Sequence, residues 1–436
     1  MSASSLDSIE TIVVVVMENR SFDHMLGYLS LNAFGGRTDV DGLRDDPGWL
    51  ASVSNLNPFD GHRYQPSPLT YMQTSDQPHE RVNIAQQLGR RGSNDAFAMD
   101  GFVASAGGNA QVMQYYTPRE IPITDFFARN FAICDRWFAP LPAGTQPNRL
   151  MTMAGYSLID HNRFELDPQD LVYKWLTDHG VRWRVYHEGV PFFSLMPHVW
   201  PEIASDRFRR FERFASDMQE EPDATFPQVI FVEPTYTDAP HWGFPSDDHP
   251  PSSVAWGQAF LLKVYLGLAT SRHWPRSALV VTYDEHGGFF DHFSPIALRT
   301  APPQGADYPP FESSGVRVPG MVVSPFVGEG TVFHDNLDNT SILKLLGEKF
   351  GSGGGYSTAV TERSVRSLSG VFNRSSPRTD IPSPPHPSAI SPIGSANVVA
   401  MHTAAQGMFD AQANAAAKFP ELVHALAHTL VGGGPR

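Results

Sequence analysis

The sequence predicts an α/β sandwich built around a mostly parallel sheet, and three observations predict it. β-Branched runs at 12–17 and 277–283 (SALVVTY) are apolar at consecutive positions, as in strands buried on both faces. Helical spacing appears between such runs, and strands alternating with helices build parallel sheets flanked by helices. The 36 Gly and 37 Pro, with charged residues at 18% against a usual share of about 25%, describe long irregular loops over a well-buried core.

Along the chain, the run at 12–17 is bounded by polar residues and forms the first strand. PQVIFV (227–232) and VPGMVV (318–323) add two more, beside 277–283. Helical patterns occupy 123–132, 170–179, 255–269 and 340–350. In sheets of this class, ligands gather at the carboxyl ends of the strands. No repeat of solenoid or propeller period is present. From 351 the chain runs GSGGG and then RTDIPSPPHPSAISP, the composition of a linker or draped loop. Residues 396–436 are Ala-rich with apolar positions at helical spacing. The expected organisation is a main domain over 1–350, a Gly/Pro/Ser-rich linker or loop over 351–395 and a C-terminal helical segment over 396–436.

Charge and cysteine usage exclude several functions. Thirty-two Lys and Arg against 46 Asp and Glu leave a net charge of −14, which disfavours a phosphate backbone as partner, so no nucleic acid is expected. Cys134 is the single cysteine, so no disulfide forms within the chain and no Cys/His zinc spacing exists. The first apolar run follows acids rather than bases and is too short for a signal-peptide core or a membrane span. The expected location is cytoplasmic, or exported with a leader removed.

Chemistry concentrates at the strand ends. The first strand closes on Glu18-Asn19, within ENRSFDH, and the 277–283 strand closes on Asp284-Glu285, within TYDEHGGFFDH. Carboxylate and amide oxygens are the ligand set of a hard divalent cation. Taken singly, Glu18 is as readily a helix cap and Asp284 a turn residue; together the pairs favour a metal. His187, His249, His286 and His292 fall just after expected strands or in flanking loops, as donors to a phosphoryl group or as further ligands. In APLPAGTQPNRLMTMAG, Thr145 sits in a Pro/Gly turn before a helix, where an oxyanion meets backbone N–H groups; a plain N-cap is the commoner role for such a residue. No Gly-x-Ser-x-Gly elbow accompanies it, so an α/β-hydrolase triad is unsupported.

Taken together, IVVVVMENRSFDHMLGYL, FAICDRWFAPLPAGTQPNRLMTMAG, SDDHPPSSVAWGQAF and TYDEHGGFFDH resemble the phosphoesterase family of phosphatidylcholine-type phospholipases C and AcpA-like acid phosphatases. Plant non-specific phospholipases C are especially similar. DQPHE (76–80), MDGFV (99–103) and RVPGMVVSPFV (317–327) follow in the same order, so the resemblance runs from about residue 9 to about residue 350. It implies an alkaline-phosphatase-like three-layer fold and a transiently phosphorylated nucleophile, Thr145. Glu18, Asn19, Asp284 and Glu285 then hold a divalent metal of open identity, among Mg, Ca, Mn, Zn and Fe. His187, His249 and His292 become candidate catalytic histidines, and His79, Asn148, Glu233 and His286 candidate phosphate contacts. The expected activity is phospholipase C cleavage of a phosphatidylcholine-like lipid, with peripheral membrane contact. A monoester-cleaving acid phosphatase is the first alternative, and a non-catalytic lipid-binding module the next.

The chain departs from the family at Asn339, where relatives tend to carry His before a Thr/Ser-Ser pair; His334 is the nearby candidate to replace it. Phe192, Phe193 and Trp200, in PFFSLMPHVW, are candidate interfacial anchors, with a buried core segment as the competing reading. The net negative charge points to zwitterionic rather than anionic lipid, with a local basic patch from Arg207 to Arg213 as the feature that would override the average.

Overall fold

The computed structural model describes residues 5–93, 95–241 and 244–386. The expected C-terminal helical segment lies outside them. An eight-stranded sheet forms the centre. In chain order its strands are β1 (Thr11–Met17), β2 (Ala132–Cys134), β3 (Trp183–His187), β4 (Phe208–Arg210), β5 (Val229–Glu233), β6 (Ser277–Tyr283), β7 (Gly320–Val323) and β8 (Thr331–Phe333). They lie in the order β8-β2-β7-β6-β1-β5-β3-β4. Only β7 runs against its neighbours; every other pairing is parallel.

The larger helices are α1 (Arg81–Leu88), α2 (Pro122–Asn130), α3 (Thr145–Ala154), α4 (Val172–Asp178), α5 (Phe214–Glu220), α6 (Val254–Ala269) and α7 (Thr340–Phe350). All seven residues of β1, and all seven of β6, are buried. That burial explains their unbroken apolar runs, since a central parallel strand is covered on both faces. α3 packs with α7, and α6 packs with α2 and α5. The α/β expectation is therefore met, with a mostly parallel sheet between helices. Among the described residues no helix is long and apolar enough to cross a membrane.

Expected and observed boundaries differ where elements are short. The helix expected over 123–132 stops at Asn130, because Phe131 is extended and Ala132 already belongs to β2. Strands β2, β4 and β8 have three residues each, too few for an alternating pattern to register. Part of the Gly/Pro/Ser-rich stretch is packed: Val360, Leu368 and Val371 join the main core, and the Arg363 guanidinium reaches Asp338 and the Pro140 carbonyl. Gly155, which ends α3 at φ +81°, makes this possible. A Cβ there would stand 2.3 Å from the Val360 side chain.

Candidate active site

Strand register builds the site. β1 and β6 pair in parallel with Met17 opposite Tyr283, so Glu18-Asn19 and Asp284-Glu285 leave the sheet side by side. Both pairs stand at the carboxyl ends of their strands, which is where ligands enter such sheets. Asn19 adopts φ +59°, a left-handed conformation that asparagine tolerates better than most residues. Its backbone N–H donates to Asp284 Oδ1 at 3.2 Å. The turn after Glu285 packs against this bend so closely that a Cβ on Gly287 (φ +63°) would lie 2.2 Å from the Asn19 carbonyl oxygen. Gly287→Ala is expected to cost roughly 2 kcal/mol or more, from the left-handed backbone and the clash together. Urea unfolding of the variant checks this, and an unchanged midpoint would remove the argument for the tight turn.

Thr145 is the first residue of α3, after Gly144 as N-cap. The residue is 8% exposed, and its hydroxyl donates to Asn19 Oδ1 at 3.3 Å. The preceding loop is wound on Asn148, whose Nδ2 donates to the carbonyls of Leu141 (3.1 Å), Ala143 (2.7 Å) and Gly144 (3.1 Å) while Oδ1 accepts from Leu141 N–H (2.8 Å). The Asn148 amide is thus consumed in shaping the loop that presents Thr145, rather than turned toward a phosphate.

One residue absent from the sequence reading stands at the centre. Arg149 is buried one turn along α3, 3.1 Å from Glu18 and 3.3 Å from Asp284, with the Tyr236 and Phe192 rings beneath its guanidinium. The helical spacing from Thr145 is the signal that could have found it, since positions i and i+4 share a face. One guanidinium does not balance Glu18, Asp284 and Glu285. Burial pushes the Glu18 carboxyl well up, and it pushes Asp284 up to about 6, against the pull of Arg149 in both cases. Burial also works against the Glu285 anion, yet His79 and His286 hold its carboxyl below the ordinary value. Glu285 Oε1 is buried without a hydrogen-bond partner. A surplus of buried carboxylate, an orphaned oxygen and the neighbouring Asn19 and Thr145 oxygens fit a hard divalent cation.

The histidines separate into groups. His79 and His249 belong to the site: with Asp76, their ligating atoms all lie within 4.8 Å of one another. Each directs Nδ1 to a backbone carbonyl, Gln77 at 2.6 Å and Pro250 at 2.5 Å, and His249 Nε2 lies 3.5 Å from the exposed Asp238. His79 Nε2 is 3.3 Å from Asn19 Nδ2 and 4.0 Å from Glu285 Oε1. Against a burial effect that favours the neutral ring, Glu285 and Asp76 raise His79 to about 9. The DDH turn that carries His249 is itself pinned, because Asp247 accepts from Thr237 and from the His249 backbone while its own carbonyl receives Glu18 N–H.

His286 stands one layer back, between Glu285 Oε2 (3.2 Å) and Gln87 Oε1 (2.8 Å). His292 belongs to a second buried cluster. Its Nδ1 and backbone N–H both meet Asp23 Oδ2 at 2.7 Å, and Arg317 ties Asp23 to Asp291. These contacts make it a fastening between the ENRSFDH and DEHGGFFDH loops, and none of them is with Thr145, Asn19 or the four carboxylate and amide positions. Asp23, Asp291 and His292 are also close enough together to gather a cation, a grouping the sequence reading did not contain.

Nor does the structure bring His187 to Thr145. It ends β3, buried, with Nδ1 on the Gly189 carbonyl (2.7 Å), Nε2 unpartnered and Arg210 and Glu212 as charged neighbours. Burial lowers its pKa to about 4. The unfolded chain therefore binds a proton that the native state refuses between pH 6.5 and 4. Stability from this group is complete above pH 6.5 and falls as pH drops toward 4, by about 3 kcal/mol. His187→Asn, which keeps a donor for Gly189, should lose about 3 kcal/mol less than wild type between pH 7 and 4 in urea unfolding at both pH values. Parallel losses in the two proteins would show that His187 does not titrate as its burial requires.

Glu233 lies behind Arg149. Phe192 N–H donates to it at 2.7 Å, burial raises its carboxyl to about 7, and Arg149 works in the opposite sense. Together with Val14, Tyr173 and Phe192 it lines a cavity of about 20 Å³. Asn339 is buried and structural: it accepts from the Trp137 indole at 2.7 Å and donates to the Tyr283 carbonyl at 3.1 Å, just before Asp284. His334, half-exposed, pairs with the buried Asp135 and does not replace a site histidine. Of the expected interfacial anchors, Phe193 is 2% exposed, Phe192 packs on the core and the Trp200 indole is tied to the Ser194 carbonyl, so PFFSLMPHVW is a packed segment.

Comparison with known proteins agrees with these motifs. Residues 9–352 match the phosphoesterase family. Non-specific phospholipase C3 of Arabidopsis thaliana is 30% identical, over 87% of this chain and 76% of its own length. Non-specific phospholipase C1 of the same plant is 33% identical over 75% of this chain, which spans 62% of that relative. Phospholipase C B of Mycobacterium tuberculosis (strain H37Rv) is 29% identical over 89% of this chain and 81% of its own. A solved structure of an alkaline phosphatase superfamily protein from Vibrio parahaemolyticus aligns with 70% of this chain and 71% of its own at 14% identity, with a TM-score of 0.32, a likeness too slight to carry an argument.

Proposed function

This chain belongs to the phosphoesterase family, and from that membership we propose that it is a phospholipase C that cleaves a phosphatidylcholine-like glycerophospholipid to diacylglycerol and a phosphorylated headgroup. The observation that carries the reading is the Thr145 hydroxyl at the N-terminus of α3, hydrogen-bonded to Asn19 beside three buried carboxylates and the His79–His249 pair. Glu18, Asn19, Asp284 and Glu285 would hold the divalent cation, which when bound supplies positive charge that favours a threonine alkoxide and a phosphoryl group in one place.

Thr145 Oγ1 bonds to phosphorus as the phosphorus–oxygen bond to glycerol breaks, and its proton passes to the carboxylate set. His79, held cationic by Glu285 and Asp76, donates to a non-bridging phosphate oxygen, while the first N–H groups of α3 face the growing charge. His249 gives its Nε2 proton to the departing diacylglycerol oxygen. Water then attacks phosphorus and gives a proton back to His249 Nε2, the threonine oxygen leaves and takes its proton back from the carboxylate set, and the phosphorylated headgroup is released. Two displacements give net retention at phosphorus.

Product analysis tests the reading: the protein is incubated with phosphatidylcholine micelles and, separately, with a soluble phosphate monoester. Phosphocholine from the lipid supports the phospholipase C. Inorganic phosphate from the monoester with intact lipid would transfer the assignment to an acid phosphatase. A chiral phosphorothioate substrate giving inversion would exclude the phosphothreonine.

A further inference from the structure

Four apolar side chains on segments tied to the site are largely exposed. Val82 is 74% exposed, Phe164 60%, Phe244 52% and Tyr71 47%. Isolated exposed apolar residues are ordinary, but these four stand on segments that hold the site and one another. Val82 opens α1 just after His79 and Glu80, and the Glu80 carboxylate would lie 3.2 Å from a Cβ on Gly144, next to Thr145. Arg81 pairs with Asp160 at 3.0 Å, joining α1 to the loop that carries Phe164. That loop is laced to Gln146, the residue after Thr145, through Asn162 and Arg163. Phe244 stacks on Trp256 with ring centroids 4.4 Å apart, and two residues earlier Val254 donates its N–H to the Met72 carbonyl beside Tyr71. His79, His249 and Asp76 lie together in the site itself.

We propose that Val82, Phe164, Phe244 and Tyr71 form an interfacial collar that seats the mouth of the site on the surface of a zwitterionic lipid aggregate. The proposal rests on the phospholipase C reading and deepens it. A collar of this kind enters the boundary between headgroups and acyl chains, at the depth where a lipid phosphate meets a nucleophile on the floor beneath. Charge selects the lipid class. Asp76 and Asp238 are exposed beside His79 and His249, and Arg81 and Arg163 are paired with Asp160 and Asp167, so these segments carry no surplus of positive charge. With a net charge of −14 on the whole chain, an anionic surface is repelled.

The test uses the full chain carrying Val82→Ser, Phe164→Ser and Phe244→Ser together, with two readouts. Co-sedimentation with pure phosphatidylcholine vesicles should fall about tenfold or more relative to wild type. Hydrolysis of a short-chain phosphatidylcholine dissolved below its micellar concentration should stay within about twofold, because no residue that touches the phosphate is altered. Wild-type partitioning by the triple variant would overturn the proposal, as would stronger wild-type binding to phosphatidylglycerol than to phosphatidylcholine vesicles. An equal loss on the monomeric substrate would also overturn it, since the collar would then act inside the site. Collar-dependent sedimentation with no hydrolysis of either lipid form would uphold the surface while rejecting the phospholipase reading.

Discussion

Thr145→Ala is expected to lower phosphocholine release from phosphatidylcholine by about 10³-fold or more while leaving the protein folded. The substitution removes one hydroxyl whose hydrogen bond, to Asn19 Oδ1, is 3.3 Å long, and the loop before it is held by Asn148 rather than by Thr145. A cost near 1 kcal/mol in stability is all that such a bond commands. Thr145→Ser retains the oxygen at the start of α3 and should keep measurable turnover. Quenched-time-point assays of phosphocholine, with thermal unfolding run alongside, separate the two effects. If the alanine variant kept a tenth of the wild-type rate, Thr145 would not be the nucleophile.

Arg149→Met should be the most destabilising single change at the site, by about 3–5 kcal/mol. The guanidinium is buried between Glu18 and Asp284, and a thioether of similar length leaves both carboxylates without their counter-charge. Lysine restores one charge but cannot bridge two carboxylates and the Met17 carbonyl at once, so Arg149→Lys should recover only part of the loss. A double-mutant cycle with Glu18→Gln distinguishes charge from packing: the glutamine should relieve part of the methionine penalty, although it harms the wild type. Urea unfolding of the four proteins measures the coupling. A penalty below about 1 kcal/mol for Arg149→Met would mean that the carboxylates are balanced by something else.

Much of the fold was legible because the central strands are long and buried on both faces. β1 and β6 read as unbroken apolar runs, and α6 and α7 as helices whose observed ends lie within a residue of those expected. The three-residue strands escaped, as did the packing of Val360 and Leu368 into the core from a stretch whose composition describes a linker. Single large apolar residues can anchor a Gly- and Ser-rich segment without leaving any period in the sequence.

By itself the sequence determined which residues leave the two central strands, Glu18-Asn19 and Asp284-Glu285, and that Thr145 sits in a Pro/Gly turn just before a helix. Tertiary structure alone decided which partners meet them. Parallel pairing of Met17 with Tyr283 sets the two acidic pairs together across a separation of more than two hundred residues, and no local pattern records that register. The same holds for the histidines. All stand in similar sequence surroundings, yet His79 and His249 are turned to Thr145's cluster by carbonyls of their own loops, while His187 and His292 are fixed to other partners. Arg149 became central only when α3 laid it between two carboxylates, because a buried charge acquires its meaning from the charges that surround it.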